Sequence, residues 1–167
     1  MARALRWLAQ RDYSRSELRR KLLAAARRDA EPNQQEDAAA SAAIVENAAR
    51  GAPDREVDEL LDWLAARNYL SEPRFVESRI RAREQRFGNL RIRRELADHG
   101  VSLDAAHAER LRETELQRAR AVWVRRFGGP ACDAAGRARQ ARFLAGRGFS
   151  AEVIRRLLGG RDLHDED

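Results

Sequence analysis

The chain has 167 residues, about one domain's worth, with 33 Lys+Arg against 27 Asp+Glu and a formal net charge of +6. Thirty-two of the basic residues are Arg, 31 residues are Ala, and only 12 are Val, Ile or Thr, a set of helix formers that all but excludes a sheet protein. Apolar residues make up 43% and charged ones 36%, which suits a thin, heavily charged helical assembly, disfavours a small-molecule enzyme and points to anionic partners. Cys132 is the only cysteine, so neither an intramolecular disulfide nor a cysteine-rich zinc site can form. No apolar run approaches the roughly 20 residues of a membrane span. Met1-Ala2-Arg3-Ala4-Leu5-Arg6 enters an amphipathic pattern with no secretory h-region, so a cytoplasmic location away from membranes is expected.

In chain order, one phrase recurs three times: Trp7-Leu8-Ala9-Gln10-Arg11-Asp12-Tyr13-Ser14, Trp63-Leu64-Ala65-Ala66-Arg67-Asn68-Tyr69-Leu70-Ser71 and Phe143-Leu144-Ala145-Gly146-Arg147-Gly148-Phe149-Ser150. Each predicts a helix end, a left-handed residue at Asp12, Asn68 or Gly148, and a serine cap for the next helix. The two aromatics of each copy are expected to pack across the joint like a hydrophobic staple. After the first joint, Ser14-Arg15-Ser16-Glu17 forms a capping box and Leu18, Leu22 and Leu23 carry the helix to about Arg28. A change of composition marks a variable insertion at about 29–52. A helix from about Asp54 to Arg67 follows, then one from Ser71 to Phe87, a short one capped by Asn89, and a long one from Ser102 to about Phe127. Gly128-Gly129-Pro130 breaks the chain, and a last pair of helices, near Asp133 to Ala145 and Ser150 to Leu158, straddles the third joint. Leu163–Asp167 reads as a loose acidic tail. The expected fold is all-α, three tandem three-helix units at 1–68, 69–128 and 129–167 forming an elongated, curved body.

Charge is segregated along the chain, with net +7 over residues 1–28, −8 over 29–66, +5 over 67–97, −3 over 98–109, +7 over 110–147 and −2 over 148–167. Arg79, Arg83 and Arg86 fall together on one helix, beside Phe75, Val76, Ile80 and Phe87, where guanidinium forks can reach a carboxylate or a phosphate. Ion pairing with the chain's own acids, Glu72 for example, competes with that reading. Arg91, Arg93 and Arg94 extend the positive charge onto the next helix, and Arg125 and Arg126 close the long one; a solvated face or a helix C-terminus accounts for these as well as binding does. These eight arginines are the candidate contacts for a partner or DNA. Arg11, Arg67 and Arg147 recur at the joints, where unpaired helix carbonyls suffice to hold them.

Catalytic chemistry is missing. His99, His107 and His164 lie apart with no metal-ligand spacing, Gly128-Gly129-Pro130 lacks the rest of a phosphate loop, and no serine has a neighbouring histidine to act as base. No catalytic residue, cofactor or metal is expected.

The chain resembles the RecX regulatory proteins of bacteria. The resemblance rests on Arg11-Asp12-Tyr13-Ser14-Arg15-Ser16-Glu17-Leu18-Arg19-Arg20-Lys21-Leu22, then on Tyr69-Leu70, Arg74-Phe75-Val76, Arg83, Gly88, Ile92-Arg93-Arg94-Glu95-Leu96 and Gly100-Val101-Ser102. Arg126-Phe127-Gly128 and Arg142-Phe143-Leu144-Ala145-Gly146-Arg147-Gly148-Phe149 complete it. It covers nearly everything outside about 29–52; Ser71-Glu72 and His99 depart from the family's usual acidic pair and lysine. It implies three tandem three-helix repeats that bind in the groove of the RecA–DNA filament, block filament growth and suppress ATPase, strand exchange and co-protease activity, restraining the SOS response. Three separated basic blocks on a helical body suit a repeating anionic surface. The rival reading is a sequence-independent DNA-binding protein whose arginine rows meet phosphates of single- or double-stranded DNA directly. Against it, the few aromatics are mostly committed to the joints, which leaves no stacking platform for single strands.

Overall fold

A computed structural model describes residues 1–30 and 42–159, with side chains for 1–29 and 53–159. All regular structure in them is helical: α1 (Ala2–Leu8), α2 (Arg15–Ala30), α3 (Ala42–Ala66), α4 (Glu72–Arg83), α5 (Asn89–Asp98), α6 (Ala105–Phe127), α7 (Ala134–Gly146) and α8 (Ala151–Leu158). The chain forms two compact units, Met1–Phe75 and Val76–Asp167, with α4 spanning the boundary. Residues 31–41 of the expected insertion and the acidic tail lie outside the described residues, while 42–52 are helical. α3 begins at Ala42, upstream of the expected Asp54, and carries Pro53 within it.

Three helix ends close with the same pair of backbone bonds. The Asn68, Gly100 and Gly148 amides donate to Ala65, Ala97 and Ala145 at 3.0, 2.8 and 2.9 Å, and the next amides, of Tyr69, Val101 and Phe149, reach back to Leu64, Leu96 and Leu144 at 2.9, 3.0 and 3.2 Å. The φ angles at Asn68, Gly100 and Gly148 are 58°, 70° and 80°, the left-handed turn that satisfies the last carbonyls of a helix. Gly100 thus belongs to the repeated joint although it lacks the aromatics. Asp12 does not: Asn68 is the only described non-glycine residue at positive φ. α1 stops at Leu8, and the Trp7 carbonyl accepts from Gln10 (3.0 Å) and Arg11 (3.4 Å), so the chain has left the helix before Asp12.

Other local expectations shift for similar reasons. Ser14, Ser71 and Ser150 cap their helices, accepting from the amides of Glu17, Arg74 and Val153 at 3.1, 3.4 and 3.4 Å. Asp104 caps α6 instead of Ser102, its carboxylate taking both the His107 amide and ring Nδ1 at 2.8 Å. Gly88 takes the N-cap position of α5 instead of Asn89, whose side chain is drawn inward to donate to the Leu111 carbonyl at 3.0 Å. α4 ends at Arg83 instead of Phe87, and the turn that follows presents the Glu84 and Phe87 carbonyls to Arg118 at 3.2 and 2.9 Å. Trp63 and Tyr69 stack across their joint, centroids 6.0 Å apart and planes at 12°. Phe143 meets Phe127 edge-on at 5.2 Å instead of pairing with Phe149, which is buried in the core with Leu144, Ile154 and Leu157.

The first unit closes on Leu18 and Leu22 of α2 against Val57, Leu61 and Leu64 of α3, with Ala4, Tyr13 and Leu70. Lys21 sits over the rings of Trp7 and Tyr13, 4.2 and 4.9 Å from their centres, and donates to the Tyr13 hydroxyl at 2.9 Å. Outside this core, Arg19 grips Asp54 and Asp58, each at 2.7 Å, and Arg15 meets Asp62 at 2.8 Å. Three aspartates spaced by four on α3 therefore face the basic side of α2.

In the second unit α6 is the spine, burying Leu111, Glu115, Ala119, Val122 and Trp123 along one face. The α4–α5 turn and the α7–α8 joint meet main chain to main chain: Gly88 donates to the Arg147 carbonyl at 2.9 Å and Leu90 to the Gly148 carbonyl at 3.0 Å. A Cβ on Gly88 would stand 2.3 Å from the Gly148 oxygen, and one on Gly148 would stand 2.5 Å from the Arg91 Cβ. Glycine is needed here for close approach. Gly88→Ala is expected to lower unfolding stability by about 3 kcal/mol, read by urea denaturation. Gly146→Ala, where an added methyl meets nothing within 4 Å, should be neutral or stabilise by up to about 1 kcal/mol.

Candidate anion-binding surface

A pair of polar residues on the buried side of α6 positions the surface. The Glu115 carboxylate accepts from the amides that start two different helices, Asn89 at 3.0 Å and Ser150 at 3.2 Å, and from the Ser150 hydroxyl at 3.1 Å. Glu115 is only 4% exposed, so those donors compensate a carboxylate taken out of water. One turn on, the Arg118 guanidinium binds the Glu84, Phe87 and Leu111 carbonyls and the Asn89 side-chain oxygen. Burial pulls the Arg118 pKa below its ordinary value, against the opposing pull of Glu115 and Glu84, though no guanidinium loses its proton in a protein. Neither residue stood out in the sequence, yet Glu115 interrupts the Leu111-Ala119-Val122 stripe, and a charged residue in an apolar stripe is a readable signal.

These clamps bring three helix ends around a cleft of about 210 Å³ lined by Gln85, Arg86, Val122, Arg125, Arg126, Phe143 and Arg147. Arg86, Arg125 and Arg126 are predicted candidates. Arg147, first read as a joint residue held by carbonyls, completes the set: it donates to the Arg86 carbonyl at 3.3 Å and lies 5.0 Å from the Phe143 ring centre. No acid lines the cleft, and none of these four arginines has an ion-pair partner among the described residues.

The other candidates separate. Arg83 binds both oxygens of Glu95 at 3.0 and 2.9 Å, and Arg79 reaches Glu95 and His99 at 3.4 Å. Their acidic partner is Glu95 on the next helix, not Glu72. Burial raises the Glu95 pKa, but the Arg83 bond and the charges of Arg83 and Arg79 outweigh it and hold the carboxyl below its ordinary value. Arg91 and Arg94 line a second, mixed-charge groove of about 500 Å³ with Leu90, Glu95 and Asp98; Arg91 also covers the Phe87 ring at 4.2 Å. Arg93 is exposed on α5. At the other joints Arg11 and Arg67 lie over Tyr13 and Trp63, 3.8 and 4.2 Å from the ring centres.

Residues 113–158 match the family described as RecX, third three-helix domain. The chain is 41% identical over 163 residues to "Regulatory protein RecX" of Ralstonia nicotianae, covering 96% of this chain and 87% of that protein. It is 42% identical over 168 residues to the protein of the same name from Leptothrix cholodnii, covering 99% and 91%, and 40% identical over 169 residues to that of Ralstonia pickettii, covering 99% and 90%. The chain belongs to the RecX family.

The RecX relatives are named as regulators, not as enzymes. Among the described residues no helix is long and apolar enough to cross a membrane, and no group of three or more His, Cys, Asp or Glu could hold a metal.

Two measurements check the framework that carries this RecX surface. Glu115→Ala strips the acceptor from both helix starts and is expected to cost about 3 kcal/mol in urea unfolding. His107 Nε2 bonds Glu77 at 3.0 Å and its Nδ1 bonds Asp104, and these carboxylates raise the His107 pKa above its ordinary value. Its contribution to stability is therefore full below about pH 6.5 and lost as pH rises through the raised folded value. Thermal melts from pH 6 to 9 should show that loss in the native chain and not in His107→Gln.

Proposed function

We propose that this chain regulates the RecA recombinase in the cytoplasm by binding the RecA–DNA filament. On this reading it inhibits filament extension, ATPase, strand exchange and co-protease activity, and so modulates recombination, DNA repair and the SOS response. Membership of a family named for regulation supports the reading, and the observation that carries it is the cleft of four unpaired guanidiniums without an acid. Such a surface attracts an external anion, and an ordered nucleoprotein filament offers anionic groups at a regular repeat.

The contact surface is assigned to Arg86, Arg125, Arg126 and Arg147, extended over Arg91, Arg93 and Arg94 on α5. Arg79 and Arg83 support it by anchoring Glu95. The first basic block contributes less, because Arg15 and Arg19 already face the aspartates of α3.

The test is a titration against RecA turning over ATP on single-stranded DNA. ATP hydrolysis should fall as the chain is added, and binding to DNA should be tighter with RecA and ATP present than without them. Arg86→Ala, Arg125→Ala and Arg126→Ala combined should raise the concentration for half-inhibition about tenfold, a change of about 1.4 kcal/mol in binding. RecA turnover indifferent to added protein would sink the assignment.

A further inference from the structure

The second joint differs from two of its counterparts by one residue, and the difference leaves an aromatic ring on the surface. At Asp12 and Gly148 the capping serine follows the aromatic directly, as Tyr13-Ser14 and Phe149-Ser150, and both rings are core residues, 3% and 2% exposed. At Asn68, Leu70 is interposed between Tyr69 and Ser71. Leu70 takes the core position and Tyr69 is left 49% exposed. The core of the first unit therefore does not consume this ring. It stacks instead on Trp63, over which the Arg67 guanidinium also stands, 4.2 Å from the ring centre.

We propose that Trp63, Arg67 and Tyr69 form a protein-docking platform in the first unit, whose occupant presents an apolar side chain beside a single carboxylate. The inference rests on the filament reading above and assigns that occupant to the recombinase protomers, not to their DNA.

Three observations narrow the partner. First, tryptophan, tyrosine and arginine are the side chains that most often carry the binding energy of protein interfaces, and here they already brace one another, so docking has little left to order. Second, Arg67 has no ion-pair partner among the described residues, and a guanidinium stacked on a ring still has its in-plane N–H fork for a carboxylate. The other guanidinium at this joint is engaged: Arg74 donates to the Asn68 and Tyr69 carbonyls at 2.7 and 3.2 Å and lies 3.6 Å from Asp12. Third, the surroundings are acidic. Glu59 stands one turn before Trp63, Asp62 directly before it and Glu72 three residues after Tyr69, all exposed. A single strand could stack a base on Tyr69, but it carries a phosphate at every nucleotide and would meet those acids. One carboxylate on Arg67, with an apolar neighbour on Tyr69, avoids them.

The experiment follows binding of the full chain to RecA filaments assembled with ATP on oligothymidylate, and to the bare oligothymidylate. The chain is labelled at Cys132, its only cysteine, which is exposed in the second unit, and binding is read by fluorescence anisotropy. Tyr69→Ala should weaken filament binding about tenfold, a typical loss for an aromatic anchor, and leave binding to the bare strand unchanged. Tyr69→Phe, which keeps the ring, should bind as the native chain does. Arg67→Gln should weaken filament binding about fivefold, and Arg67→Glu, which sets like charges against each other, by more. Because Leu70 fills the core, the urea midpoint of Tyr69→Ala should stay native; the exposed Arg67 variants test the platform in any case.

Native filament affinity in both Tyr69→Ala and Arg67→Gln overturns the platform. A matching loss on the bare strand overturns it too, by moving the site to nucleic acid, and tighter binding by Arg67→Glu overturns the carboxylate. If the native chain does not bind filaments at all, the filament reading falls and the recombinase is struck as occupant with it; native binding that the variants share strikes the platform alone.

Discussion

One buried carboxylate holds the second unit together as a functional object. Glu115 accepts from the Asn89 amide, the first of α5, and from the amide of Ser150, the N-cap of α8. A carboxylate at 4% exposure is costly unless its oxygens are fully met, and here the donors are main-chain groups that would themselves be unpaired at the beginning of a helix. The two liabilities cancel. Since the helix starts are fixed, so are the turns before them, and Gly88 and Gly148 can approach until their backbones bond directly. Arg86 and Arg147, one on each turn, then share one wall of the cleft.

The two halves of the chain handle their charge differently. In the first unit the basic face of α2 is answered from within by Asp54, Asp58 and Asp62; half-exposed pairs of this kind contribute little stability each, but they leave less net charge for a partner. In the second unit Glu95 answers Arg79 and Arg83, and the guanidiniums at the ends of α4, α6 and α7 stay unanswered among the described residues. A running sum of charge shows both blocks as positive. Only the fold separates a block that is spent on folding from one that remains available.

What could be read from residues alone was chemistry confined to one turn. The joints at Asn68 and Gly148 and the caps at Ser14, Ser71 and Ser150 depend on neighbours within a few positions, so their sequence signals carry through. The joint at Gly100 lacks the aromatic signature because Val101 stands where the others carry Tyr69 or Phe149, although the Leu-Ala spacing before it is the same. Asp12 was misread as left-handed because α1 ends early, and helix length is set by packing. The Glu95 bridge and the Gly88–Gly148 contact need the angle between helices and were out of reach. For Arg147 the recurrence at the joints was visible, but its place in the cleft follows from the contact between distant turns.

The basic complement of this surface is almost purely guanidinium. Lys21 is the single lysine, and it is occupied beneath the aromatic rings of the first core. Acylating enzymes and reagents that silence amines thus find no purchase on the cleft. Its positive potential is a constant of the molecule, to be modulated only by ionic strength or by an anion that occupies it.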